Sequence, residues 1–222
     1  MIYPLGRITQ DVRVCMDQNL TSDALFTDGD EETLNLDEII RSKVLEAVRR
    51  VHMAAPYWLL EQGHNFGDDE TDEEVAVTWG TGAMANTGYV YLPADFMRLV
   101  VFEMSDWERA VYTVISVDTP EYAKQRSRFG GIRGTAQRPV CAIGVRPGGR
   151  VLEFYSCKSD EATVQRAVYL PYPTIDENNG VDISERCYEA VVYTIAGLTI
   201  TTCGEVERGS GLLSMANNLL EQ

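Results

Sequence analysis

The chain has 222 residues, 45% of them apolar and 24% charged, an ordinary globular composition that argues against wholesale disorder or a fibrous repeat. That length suffices for one full domain or for two modest lobes without covalent staples. A formal net charge of −15 repels phosphate, so free nucleic acid is a poor main partner for the isolated chain.

In chain order, Ile8, Val12, Cys15 and Met16 recur at helical spacing and predict a short first helix. Residues 23–32 then turn acidic around Asp28-Gly29-Asp30 and read as a loop. Asn35 is placed to cap an amphipathic helix with Asp37 and Glu38 in its first turn and Ile39, Ile40, Val44, Leu45, Val48 and Val51 along it. Pro56 should kink or restart that helix before Tyr57-Trp58, and Gly63 should end it. The run 68–74 (DDETDEE) is too charged to bury and reads as a solvated loop.

From Val75 the period changes to that of strands. Residues 75–79, 89–92, 98–102, 111–117, 140–145, 151–155 and 163–170 predict short strands, with Arg146-Pro147-Gly148-Gly149-Arg150 as a hairpin turn between two of them. Trp79, Trp107 and Tyr112 are expected in the core. After Pro171-Tyr172-Pro173, Asp182 or Ser184 should cap a helix through Cys187, Val191, Ile195 and Leu198, broken at Gly204. Gly209 to Gly211 should precede a last helix carrying Leu212, Leu213, Met215, Leu219 and Leu220. The expected fold is α+β: N-terminal helices (1–66), an inserted antiparallel β-sandwich or barrel module (67–174), and C-terminal helices (175–222) that close a bundle with the first.

Chemistry finds few anchors. Only His52 and His64 supply imidazole, there is no Gly-x-Ser-x-Gly elbow, and the five cysteines show no zinc-type spacing and read as reduced cytoplasmic thiols. The acidic runs lack EF-hand spacing, and Gly80-Thr81-Gly82 and Gly130 to Gly134 match neither the Walker pattern nor the dinucleotide fingerprint. A carboxylate pair cannot be singled out among 34 acids. No catalytic, metal or cofactor residue is therefore expected, and neither an export signal nor a membrane span is read in the chain.

The informative polar feature is charge segregation. Residues 1–74 hold 17 of the 34 acids, whereas 119–150 hold seven bases, Lys124, Arg126, Arg128, Arg133, Arg138, Arg146 and Arg150, against Glu121 alone. The loop 124–138 reads either as an exposed loop balancing acidic neighbours, as a contact with an acidic face of another subunit, or as a lining for a DNA channel.

Four stretches resemble the head-to-tail connector proteins of tailed bacteriophages: the helix Leu36 to Leu60 with its Tyr57-Trp58 end; Tyr91-Leu92-Pro93-Ala94-Asp95-Phe96-Met97-Arg98-Leu99; Trp107 through Thr119-Pro120-Glu121-Tyr122 and the basic loop to Arg138-Pro139; and the closing helices from Cys187. The resemblance points to the crAss-like podoviruses as a source. It implies a non-enzymatic virion protein, made in the host cytoplasm, that forms a ring of about a dozen copies in the neck and contacts the portal and the next tail ring. Packaged DNA would pass through without specific binding, and Lys124, Arg126, Arg128, Arg133 and Arg138 would form the subunit-contact or channel loop. The rival readings are another tail-tube or head-completion protein and a carboxylate-using hydrolase.

Overall fold

The computed structural model describes residues 1–16, 35–61, 63–67 and 75–221. The acidic stretches 23–32 and 68–74, expected as loops, lie outside the described residues. In chain order the elements are β1 (Ile2–Pro4), α1 (Leu5–Cys15), α2 (Leu36–Ala54), β2 (His64–Asn65), β3 (Thr78–Trp79), β4 (Gly88–Tyr91) and β5 (Phe96–Met104). There follow α3 (Pro120–Gln125), β6 (Cys141–Arg146), β7 (Gly149–Phe154), β8 (Val164–Pro171), β9 (Gly180–Asp182), α4 (Tyr188–Thr202) and α5 (Val206–Leu220). The chain is α+β with antiparallel strand pairing, and it divides into two compact units: Met1–Gln62 with Tyr172–Gln222, and Gly63–Pro171. The dividing points fall a few residues before those suggested by the sequence.

In the first unit, helix α2 starts where Asn35 Oδ1 accepts the Glu38 N–H and Glu38 Oε2 accepts the Asn35 N–H, each at 2.9 Å. It ends at Ala54 because Pro56 cannot continue it, and the chain resumes in a single 3-10 turn at Tyr57–Leu59. Helices α1, α2 and α4 share one core, which holds Ile8 and Val12 of α1, Ile40, Val44 and Val48 of α2, and Val191 and Ile195 of α4. The sequence of α4 is apolar almost all round, which suits a helix covered on several sides.

Helix α5 docks on α4 at two glycines. A Cβ on Gly209 would stand 2.1 Å from Thr201 Oγ1 and 2.8 Å from the Gly197 carbonyl oxygen, so the close approach requires both residues to be small. This corrects the expectation that Gly209 to Gly211 precede the last helix, which instead begins at Val206 and contains them. Neither Asp182 nor Ser184 caps α4: a 3-10 turn at Glu185–Cys187 leads into it, and the Ser184 hydroxyl donates to the Leu59 carbonyl.

His52 of α2 is buried beside the Ser184 N–H, 3.5 Å from its Nε2. Burial disfavours the charged ring and pushes its pKa down to about 4. An unfolded histidine, near 6.5, takes up its proton first as pH falls, so this group costs stability between pH 6.5 and 4. From pH 7 to 4.5 the expected loss is about 2–3 kcal/mol at roughly 1.4 kcal/mol per pH unit. It is measured as the change in urea-unfolding free energy of the wild type minus that of His52→Gln, which should be near zero if the ring titrates normally.

The second unit holds two open antiparallel sheets, ordered β2-β8-β5 and β3-β4-β7-β6. Their inner residues share one core, in which Phe102 of one sheet and Phe154 of the other lie 5.9 Å apart between ring centroids. The β6–β7 hairpin turns through Pro147-Gly148, as the sequence signals, with Arg146 opposite Gly149. Two expected strands are cut down: 75–79 pairs only at Thr78–Trp79, and 111–117 pairs with the sheets only by isolated bridges from Val111 to Phe102 and from Ile115 to Ala142. Trp79 and Trp107 pack in the core, whereas Tyr112, expected there, is 49% exposed.

Candidate contact loop and the cleft beside it

Alternation along β7 sends Leu152 and Phe154 into the core and Glu153 to the other face, opposite Tyr89 of β4 and Ala142 of β6. On that face α3 lies against the sheet, begun by Pro120 behind the Thr119 cap. Its Tyr122 hydroxyl donates to Glu153 Oε2 at 2.9 Å, and the Tyr155 hydroxyl donates to the same oxygen at 2.5 Å. Arg146 donates to Oε1 through Nη2 at 2.8 Å and Nε at 3.2 Å, and its guanidinium stands 4.0 Å over the Tyr89 ring.

Burial alone would raise the Glu153 carboxyl pKa, but the hydrogen bonds from Tyr155, Arg146 and Tyr122 outweigh it and hold the group below its ordinary value. Burial and the bond to this carboxylate push Tyr155 well above the ordinary phenol range. A carboxylate so satisfied stays ionised and accepts; it is a poor proton donor at neutral pH. It fastens α3 to the sheet, and with α3 the basic loop that follows.

A cleft of about 460 Å³ opens on this face, between Trp79, Tyr89 and Tyr122, with Arg126 and Arg146 at its polar side. Glu153 is the one carboxylate that lines it among the described residues. Glycoside-type hydrolysis would call for a second acid across the cleft.

The loop itself has a fixed base and an exposed tip. Buried Gln125 closes it, accepting the Gly134 N–H at Oε1 (2.7 Å) and donating from Nε2 to the Glu121 carbonyl (3.2 Å). Gly134 has no room for a side chain, since a Cβ would stand 2.5 Å from Ser156 Oγ, and that hydroxyl accepts the Val140 N–H at 3.0 Å. Beyond this base, Phe129 and Ile132 are 58% and 52% exposed around a 3-10 turn at Gly130–Ile132.

The structure places the five candidate residues as follows. Lys124 is exposed in the last turn of α3, Arg126 sits at its C-cap over the Tyr122 ring, and Arg128 lies 4.9 Å from the Phe129 ring. Arg133 is half-buried, and Arg138 is exposed in the turn from Thr135. Among the described residues none of the five has a carboxylate oxygen within 4.0 Å. The sequence reading missed Glu153, Tyr122 and Tyr155. A lone acid inside Val151-Leu152-Glu153-Phe154-Tyr155 was the available signal, because a charge within an apolar strand needs partners.

A scan of the chain against protein-family models finds no match, and a search of curated proteins finds no relative.

Proposed function

We propose that this chain is a virion structural protein that forms a ring in the neck of a tailed phage, between portal and tail, with the DNA channel through its centre. The observation that carries the reading is the loop of residues 124–138: several cations without carboxylate partners among the described residues and two exposed apolar side chains, displayed on a base tied down by Gln125, Gly134 and, through α3, Glu153. Exposed apolar groups ringed by arginine are the composition of a protein contact, and a fixed base limits the entropy lost on docking.

Charge segregation suits head-to-tail pairing of identical copies. Among the described residues the helical unit carries 13 Asp and Glu against eight Lys and Arg, whereas the β unit carries nine against eleven. An overall −15 also suits a channel along which DNA slides without the salt-dependent adhesion of a basic lining. The partners are other copies of the chain, the portal and the next tail ring.

The test is particle mass across protein concentration and salt, followed by imaging of whatever exceeds a monomer. Closed rings of about a dozen copies are expected for the wild type. Reversing Arg126, Arg128 and Arg138 to Glu should weaken assembly by about tenfold or more while leaving the thermal midpoint nearly unchanged, since all three are exposed. Wild-type protein that stays monomeric alone and in the presence of portal protein would sink the reading.

A further inference from the structure

The loop also borders a second cleft, of about 350 Å³, lined by Asn86, Gly130, Arg133, Thr135, Gln137 and Lys158 among others. Arg133 is its unusual member. Its Nη1 meets only the Met84 sulfur, at 3.4 Å, a weak acceptor. Its Nε is buried without a hydrogen-bond partner, and it is the one cationic atom in that condition among the described residues. No hydrogen bond of the described residues uses Nη2 either, and Gly130, alongside it, brings no side chain: a Cβ there would stand 3.6 Å from Nη2. The Nε and Nη2 edge of a guanidinium is a planar two-donor fork that matches a carboxylate, and a half-buried cation left without an anion is costly.

We infer that this cleft receives a carboxylate side chain from the acidic helical unit of a second copy, gripped by the Nε and Nη2 edge of Arg133 with Lys158 as the second cation. This rests on the ring reading for the identity of the donor. Lys158 is free to contribute, since its present contact with Glu108, 3.6 Å long, is between two groups that are each at least half exposed. Gly130, which lines the cleft next to Arg133, has no side chain to repack as the carboxylate reaches the guanidinium edge. A carboxylate is favoured over a DNA phosphate because each copy brings an excess of acids, whereas a duplex would have to approach a chain of net charge −15.

The experiment follows the Arg133 Nε–H signal by NMR in the full chain, held monomeric at low concentration, during addition of a hexaglutamate peptide, inorganic phosphate or a short DNA duplex. The expected result is a saturable shift with the peptide and little change with the other two. Alongside it, Arg133→Lys, which keeps the charge and loses the fork, should weaken ring assembly by about tenfold, and Arg166→Gln, which removes a charge elsewhere, should not. An Arg133 signal that ignores the peptide, or that answers phosphate or duplex at lower concentration, overturns the inference. Rings that form equally well with Arg133→Lys overturn it and leave the ring reading standing. A chain that never assembles while the peptide still saturates Arg133 removes the second copy as occupant and fails the ring reading, not the cleft.

Discussion

Phe154→Ala should lower the unfolding free energy of the β unit by about 3–5 kcal/mol, the range for deleting a buried aromatic ring that its surroundings cannot replace. Phe154 is fully buried, 5.5 Å from the Trp79 ring, 5.9 Å from Phe102 and 6.3 Å from Trp107. These neighbours come from both sheets and from the segment after β5, so no single movement closes the space left behind. Gly88 is shaped around the same ring, since a Cβ there would meet Phe154 Cζ at 2.8 Å. Urea unfolding followed by tryptophan fluorescence reports the loss, Trp79 and Trp107 both lying beside the cavity. A change under 1 kcal/mol would mean that the two sheets do not share this core.

Glu153→Ala should cost about 3 kcal/mol and also reduce assembly, and the second effect separates it from the core substitution. Two hydroxyls lose their acceptor, that of buried Tyr155 and that of partly buried Tyr122, at about 1–3 kcal/mol for a well-buried group. Arg146 is 42% exposed at its side chain and turns to solvent, so its share is small. With the acceptor gone α3 is no longer fastened to the sheet, and the basic loop loses part of its base. Ring formation should therefore fall in Glu153→Ala protein at temperatures where circular dichroism still shows it folded, whereas Glu153→Gln, which keeps an acceptor for the tyrosines, should recover most of both losses. Equal assembly by folded Glu153→Ala and wild type would detach the carboxylate from the loop.

The elements legible in the sequence were those whose signals are local. Asn35 and Glu38 announce α2 because the capping box is contained in four residues, and Pro147-Gly148 announces the hairpin because the turn needs nothing from elsewhere. Residues 111–117 show why alternation is insufficient. Their Val and Ile residues have strand character, but a strand needs a partner edge along its length, and here backbone bridges form only at Val111 and Ile115 while Tyr112 and Val117 are largely exposed. The glycines of α5 misled for a related reason: Gly209 looks like a helix breaker until Gly197 and Thr201 of α4 are set against it. At the candidate site the cations were visible as a cluster in sequence, but their anchor was not, because Glu153, Tyr122 and Tyr155 converge only through the register of β7 and the docking of α3.

The helical core draws on both ends of the chain while the β unit is contiguous, and that difference sets an order of events on the ribosome. The contacts within residues 63–171 become available as soon as Pro171 has left the exit tunnel. The apolar faces of α1 and α2 must wait for α4, more than 100 residues later in the chain, before Val191 and Ile195 arrive to cover Ile8, Ile40 and Val44. During translation α1 and α2 are thus made before the β unit yet covered by α4 only after it, so their apolar faces stay open while the β unit folds.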